Sequence, residues 1–378
     1  MFRSAEPVTA LRSVTRKLFE RLQDVTVDAD AAYVVAPSST EEAAAVLAAA
    51  AEAGIPTTFL GGGTRRELGG SVSADLVVTT TRLASVVDWR PDDLTAVVGA
   101  GLPIDHLEAE IAQRSQTAVL PETAPGSTVG GVIAAGISGY RRLRYGPTRD
   151  RVLQVRMATG YGKAVTGGSP VVKSSTGYGV ARLATGSLGS LGLIGEVTLK
   201  LWSRPRATST VSVGDAAAAY RITYRPLSVL ETSDGASLYL GGSAAQIAAQ
   251  AAAVGGIASP GLAWPEPISE PVQVEMRVPA AHLRGAIRWA QRIGATRWIA
   301  QHGVGIVSAG LADLDMAGIS AARTWAESVS GTLVTIAGAD NRIDPWGTPP
   351  ASLEIQRRIK AAFDPSGICN ASILPGGL

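Results

Sequence analysis

Two glycine-rich stretches carry most of the chemistry legible in this sequence. One is Leu60-Gly61-Gly62-Gly63-Thr64, and the other runs from Pro121 to Gly139, PETAPGSTVGGVIAAGISG. The second holds five glycines in nineteen residues, bent by Pro121 and Pro125. Such a composition suits neither a packed helix nor a strand, because glycine loses the most backbone entropy on ordering. That loss is offset where main chain must approach a ligand closely. Amides without a Cβ in the way, with Val129 to Ala135 read as a short helix whose N-terminus faces the same place, suit a phosphate-bearing group.

Other reactive side chains are few. The histidines are His106, His282 and His302, and no two share a metal-ligand spacing, so no metal site is expected. The single Cys369 excludes an internal disulfide and any iron–sulfur cluster held by this chain alone. Nothing near it in sequence would depress its pKa, so it reads as a small apolar filler. Arg141, Arg142, Arg144, Arg149 and Arg151 crowd into eleven residues. They form either a solvated face or a bidentate grip on a carboxylate or phosphate.

The elements that must position these groups follow from length and pattern. At 378 residues the chain exceeds one ordinary domain. With 46% hydrophobic and 17% charged residues it reads as a folded globule, not a disordered chain. The 34 basic and 32 acidic residues leave a net charge of +2, which gives no electrostatic case for nucleic acid. No run of about eighteen apolar residues supports a membrane span. Met1 to Val27 reads as an amphipathic helix and not as a signal peptide, so a cytoplasmic protein is expected.

Tyr33 to Ala36, an Ala-rich helix begun by Ser38 or Ser39 with Glu41 or Glu42 and ended at Gly54, and Ile55 to Leu60 make a βαβ unit. It delivers the Gly61 turn at the carboxyl end of its second strand, where open α/β sheets place ligands. Asp75 to Thr79 reads as a strand, Val86 to Trp89 and Leu94 to Gly99 as a hairpin, and Pro103 opens a helix reaching Arg114. Val152 to Thr159 and Ala164 to Thr166 form a second hairpin, and Leu193 to Trp202 a further strand. After Pro205 the texture changes. Strands are expected at Ser209–Val213, Leu227–Glu231, Ser237–Gly241, Val272–Val278, Ile299–Val307 and Thr332–Ile336. Helices are expected at Ala244–Val254, Ala281–Ile293, Ile319–Val329 and Ser352–Phe363. The expected division is a helical extension over 1–30, a ligand-binding domain over 31–205, a smaller α+β cap over 206–345, and a C-terminal segment over 346–378 returning to the first domain.

Four spaced blocks resemble the flavoprotein family of vanillyl-alcohol oxidase and p-cresol methylhydroxylase. They are Gly61-Gly62-Gly63-Thr64, Pro125-Gly126-Ser127-Thr128-Val129-Gly130-Gly131, Tyr145-Gly146 with Arg149-Asp150, and Gly192-Leu193-Ile194-Gly195-Glu196-Val197. Phe363 to Asn370 is similar to the family's closing segment. Gly136 to Arg142, Val171 to Tyr178 and Leu188 resemble the FAD-binding subunits of bacterial glycolate oxidases within it. Gly179 and Ala371-Ser372 depart from the usual pattern.

The resemblance implies an α+β fold with a two-subdomain FAD-binding domain and a cap. It implies FAD held by Gly61, Gly62, Gly63 and Thr64 at the pyrophosphate and by Gly126, Ser127, Thr128, Val129, Gly130 and Gly131 along the ribityl chain and ring. The backbones of Ile194 and Val197 would meet the adenine, and Pro121, Gly136, Tyr145, Gly146 and Arg149 complete the expected cofactor set. Thr64 stands where covalent relatives keep a histidine, so non-covalent FAD is expected. Arg149, inside a family-like block, is favoured as the functional arginine, and Arg141, Arg142 and Arg144 as a solvated face. His302 lies where related dehydrogenases keep a histidine-rich run, but Val304 and Val307 break that run. It reads as a structural histidine more than a base, and the catalytic residues stay unassigned. The implied activity is oxidation of a small 2-hydroxy acid, glycolate or D-lactate. A second FAD-linked subunit and an iron–sulfur subunit are the implied partners, with membrane association only through such a complex. Two rivals are a stand-alone oxidase or dehydrogenase of an alcohol or sugar, and a flavin-carrying relay subunit without its own turnover.

Overall fold

The computed structural model describes residues 25–28, 31–70, 74–170, 179–339 and 343–378. The expected N-terminal helix lies outside these up to residue 24, and over its last residues it is corrected. Val25–Asp28 forms β1, paired antiparallel with β2 (Ala31–Val35). The stretch from Val171 to Tyr178 also lies outside the described residues.

Helix α1 (Thr40–Glu52) follows β2. The Ser39 hydroxyl accepts from the Glu42 amide, while the Glu42 carboxylate accepts from the Ser38 amide and hydroxyl. Strands β3 (Thr57–Leu60) and β4 (Leu76–Thr79) complete a four-stranded sheet of order β1-β2-β4-β3, with β4 parallel to both β2 and β3. The crossover through α1 thus leaves room for one strand between β2 and β3. Val35, Leu47, Ile55 and Val78 close the core beneath the helix.

A hairpin of β5 (Val86–Arg90) and β6 (Thr95–Gly99) leads to α2 (Ile104–Ile111) and to β7 (Gln116–Thr117). The glycine stretch yields α3 (Val129–Ala135), and α4 (Arg142–Tyr145) is one turn. Then come β8 (Val152–Thr159), β9 (Ala164–Gly168), α5 (Val180–Ala184), β10 (Gly192–Lys200) and β11 (Trp202–Ser203). The five-stranded antiparallel sheet β5-β6-β10-β8-β9 packs Val98, Val155, Val197 and Leu199 against Leu107 and Ile111 of α2 and Val129 and Ile133 of α3. Each such side chain contributes about 1.5–3 kcal/mol by leaving water.

The chain then builds an eight-stranded antiparallel sheet of order β15-β12-β14-β13-β17-β18-β16-β19. Its members are β12 (Ala207–Val213), β13 (Ser228–Thr232), β14 (Gly235–Gly242), β15 (Ile257–Pro260), β16 (Val272–Arg277), β17 (Arg297–Gln301), β18 (Ile306–Leu311) and β19 (Thr332–Ala337). Helices α6 (Ala216–Ile222), α7 (Ala244–Ala253), α8 (Leu283–Arg292) and α9 (Met316–Ser328) pack on this sheet. The single strand expected over Ile299–Val307 is corrected to a hairpin: Gly303 and Gly305 take φ of +74° and +85° and fold β18 back on β17. The closing helix α10 (Leu353–Phe363) is followed by a tail that lies against β3, where the Thr57 amide donates to Ile368 O and the Asn370 amide to Thr57 O.

Candidate active site and cofactor cradle

The Gly61 turn leaves the end of β3 with its donors unused. Among the described residues, the amides of Gly61, Gly62, Gly63 and Thr64 have no acceptor within the chain, and Gly62 to Thr64 are exposed. The turn is braced against the second glycine stretch. A Cβ on Gly61 would run into the Thr128 hydroxyl, and one on Gly62 into the Gly126 carbonyl. Thr64 Oγ1 lies 2.9 Å from Ser127 Oγ, which in turn donates to Ala124 O at 2.7 Å. Free amides in a cradle that any side chain would fill fit an anionic phosphate group.

Helix α3 does not present its N-terminus to that group. The Val129 amide donates to Leu102 O, the Gly130 amide to Ala100 O, and the Gly131 amide to the capping Thr128 hydroxyl at 3.2 Å. What α3 offers is a small surface: Gly131, Val132, Ala134 and Ala135 line one wall of a cavity of about 470 Å³ whose far side is the Gly61–Thr64 turn, Phe59 and Asn370.

A second cavity of about 640 Å³ lies between the elements that precede β12 and the open face of the eight-stranded sheet, hereafter the cap. Arg65, Leu68, Thr123, Ala135, Ile137 and Leu188 line both. Its cap wall comes from alternation on β16, where Val272, Val274 and Met276 are buried and Gln273, Glu275 and Arg277 point the other way. Ile306 and Ser308 on β18 and Ile299 on β17 continue that wall. Tyr140 stands opposite, packed with its ring centroid 5.5 Å from that of Trp264. Burial, aided by the Glu122 charge, pushes its phenol up to about 12, so at neutral pH it can only act as a protonated hydroxyl.

Of the residues expected to hold cofactor, Gly61, Gly62, Gly63, Thr64, Thr128 and Gly131 line the smaller cavity, and Gly136 and Arg149 the larger. Pro121, Gly126, Ser127, Val129, Gly130, Tyr145, Gly146, Ile194 and Val197 line neither. Ile194 and Val197 are buried in β10, and Tyr145 packs edge-on against Trp202 at 5.6 Å. Gly146 puts its carbonyl on Arg151, a fully buried arginine that also donates to Thr148.

The arginines divide differently from expectation. Arg141 is fixed by Glu122 at 2.6 Å and by Leu120 O, whereas Arg142 joins Arg149 in lining the larger cavity. Arg65, Tyr140, Leu188 and Arg277 were missed. Arg65 follows the phosphate turn directly, and the alternation of β16 marked Arg277; Leu188 carries part of the resemblance, but its φ of +49° and its place in both cavities come from the fold.

His302 faces neither cavity. It is 5% exposed, with Nε2 2.7 Å from Glu231 Oε2, and Glu231 also holds Arg284 at 2.9 Å. Burial raises the Cys369 thiol far above its usual range. No histidine or cysteine is among the residues lining the two cavities. Among the described residues no group of His, Cys, Asp and Glu is arranged to hold a metal ion, and no helix is long and apolar enough to cross a membrane.

The model of an FAD binding domain matches residues 31–168. The chain is 32% identical over 186 residues to a D-lactate dehydrogenase of Archaeoglobus fulgidus, covering 49% of this chain and 42% of that one. It is 37% identical over 127 residues to glycolate oxidase subunit GlcE of Escherichia coli, covering 32% and 36%. These matches span less than half the length of either relative. Among solved structures, alkyldihydroxyacetonephosphate synthase superposes with a TM-score of 0.66 at 16% identity, covering 89% of this chain and 75% of that one, a likeness of fold. Residues 31–168 therefore match an FAD binding domain, which gives FAD as the cofactor, and the chain as a whole has an α+β fold.

Proposed function

We propose that this chain is an FAD-dependent oxidoreductase subunit that takes part in oxidation of a small 2-hydroxy acid, glycolate or D-lactate, and passes electrons to an iron–sulfur partner beside a second FAD-linked subunit. The observation that carries this reading is the adjoining of the two cavities. The smaller is a glycine cradle with free amides, and the larger, sharing six of its lining residues, is lined with arginine and sits under the cap. In the smaller cavity the amides of Gly61 to Thr64 would hold the pyrophosphate, with Thr128 and Gly131 against the ribityl chain. FAD, when bound, supplies the acceptor for hydride from the substrate's α-carbon. In the larger cavity guanidinium groups hold the carboxylate, and Tyr140 and Ser308 offer hydroxyls to the substrate. The apolar Ile299, Ile306 and Leu188 keep water from the reacting carbon. Thr64 in the phosphate turn, and a lining without histidine or cysteine, support a flavin held without a covalent bond.

The engagement of His302 by Glu231 favours one variant of this reading, a relay subunit whose partners complete the catalysis. The test is anaerobic mixing of the reconstituted complex with glycolate or D-lactate. Reduction of the flavin bound to this chain is expected, and reduction by an alcohol or sugar but by neither acid would replace the substrate class.

A further inference from the structure

The larger cavity holds more positive charge than its own carboxylates neutralise. Glu122, on its wall, is already held by Arg141 at 2.6 Å and by the Tyr140 amide at 2.9 Å. Glu275 accepts from Arg277 at 2.6 Å, and its other oxygen lies 3.5 Å from the Ser308 hydroxyl. Glu266 is exposed. Asp150 lies 3.9 Å from Arg149, both of them largely exposed. Arg142 has no carboxylate within ion-pair distance and no hydrogen-bond acceptor among the described residues, although it is half-buried.

Arg142 and Arg277 approach from opposite walls, one from the turn after the flavin-domain glycine stretch and the other from strand β16 of the cap. Their charges oppose each other: burial first, and then Arg277, lowers the pKa of Arg142. Glu275, held on Arg277, offsets part of that repulsion, and an anion placed between the two guanidinium groups would offset the rest.

We propose that Arg142 and Arg277 together form a carboxylate-binding subsite that spans the boundary between the flavin domain and the cap. It rests on the reading of the larger cavity as the substrate chamber. Glu275 orients the Arg277 fork, and Ser308 holds Glu275 from β18. The two parallel N–H donors of a guanidinium fork meet two oxygens of a carboxylate in one plane, and the choice of carboxylate over phosphate follows from the 2-hydroxy acid of the proposed function. Arg65 lies on the wall common to both cavities and is left to the cofactor. The subsite also has a mechanical consequence: an anion shared by the two walls ties the cap to the flavin domain.

The test is titration of the FAD-loaded full chain with oxalate, which binds as a carboxylate and is not oxidised through an α-hydrogen. Calorimetry and the visible flavin spectrum serve as readouts. Arg142→Met and Arg277→Met are each expected to weaken oxalate about 10-fold or more. The double variant should lose less than the product of the single losses, because the two groups share one anion. Arg142→Lys, which keeps the charge and loses the fork, should recover part of the affinity. Arg292→Met, in which the lost guanidinium sits over Trp289 at 4.6 Å, serves as the control and should bind as wild type. Flavin content and melting temperature report whether each variant is folded, and the Lys variants of both arginines replace any Met variant that is not. Wild-type protein indifferent to millimolar oxalate, or Met variants that bind it unchanged, would overturn the subsite even if glycolate still reduced the flavin in the complex. Inorganic phosphate binding tighter than oxalate would overturn the choice of carboxylate.

Discussion

At Gly62 the two glycine loops meet with no room for a methyl group, since its Cβ would fall on the Gly126 carbonyl. Gly62→Ala is therefore expected to part the loops and lower retained flavin about 10-fold, read as flavin absorbance per chain after gel filtration. The adjacent glycines of α3 separate two roles that sequence alone merges. A Cβ on Gly130 would press within 2.5 Å of the Ala100 Cβ, deep in the domain core, whereas one on Gly131 meets only Thr128 Oγ1 at 3.0 Å and otherwise enters the cofactor cavity. Gly131→Ala should lose flavin with little change in the melting temperature of the apoprotein. Gly130→Ala should lower both, with about 1–3 kcal/mol of stability lost to overpacking. Gly214→Ala, in open space on the cap, is the control. His302 tells the converse story, a residue of reactive type spent on structure. His302→Ala removes a buried partner of Glu231 and is expected to cost about 1–3 kcal/mol of stability. The rate of flavin reduction in the complex should not change, and stopped-flow absorbance checks this.

Among the elements, the closing helix α10 and its tail act as a clasp on the cofactor domain. Lys360 Nζ donates to Ser190 O at 2.7 Å, to Cys369 O at 2.8 Å and to Asp364 Oδ2 at 2.6 Å. The Asp364 carboxylate, fully buried, accepts from the amides of Ile368 and Cys369. Asn370 then donates to the Leu188 carbonyl at 2.5 Å, which ties the tail to the residue shared by both cavities. Removing one member of a buried charged pair leaves the other without its partner, so Lys360→Met should destabilise by about 3–5 kcal/mol. Added FAD should raise the melting temperature of the variant but not restore it to that of wild type.

These elements show why sequence reading succeeded in part. Ser39, Glu42 and Gly54 carry the start and stop of α1 within a few residues, so the strand, helix and glycine turn were legible. The β17–β18 hairpin was not, because the apolar ends Ile299-Ala300 and Ile306-Val307 read as one strand and only the positive φ of Gly303 and Gly305 reveals the reversal. Strand β15 was missed because all four of its residues are exposed and it ends on a proline, with no alternation to mark it. Helix α6 was missed too, although Asp215 caps it through the amides of Ala217 and Ala218. The arginine pair of the larger cavity is a product of tertiary packing: Arg142 sits on the turn of α4 and Arg277 on β16, 135 residues apart in sequence, a meeting that no local spacing states.

At the scale of the whole molecule, the larger cavity supplies cations and hydroxyls but is poor in a free base. Oxidising a hydroxy acid requires a base within hydrogen-bond reach of the hydroxyl, so that its proton leaves as hydride departs. Among the described residues lining the chamber there is no histidine, Glu122 and Glu275 are each engaged by an arginine, the remaining carboxylate, Glu266, is exposed to solvent, and the Tyr140 phenol stays protonated to about 12. His302 is held by Glu231 and lines neither cavity. The isolated chain, loaded with FAD, is therefore expected to keep its oxidised flavin spectrum for minutes when mixed anaerobically with glycolate or D-lactate. Its flavin should also leave with the supernatant on acid or heat precipitation, as a non-covalent cofactor does. Addition of the second flavin-linked subunit and the iron–sulfur subunit should restore reduction. Rapid bleaching of the isolated chain would show instead that a group in this cavity takes the proton unaided. Glu275→Gln would then be the variant to measure, since Glu275 stands beside Arg277 on the cap wall.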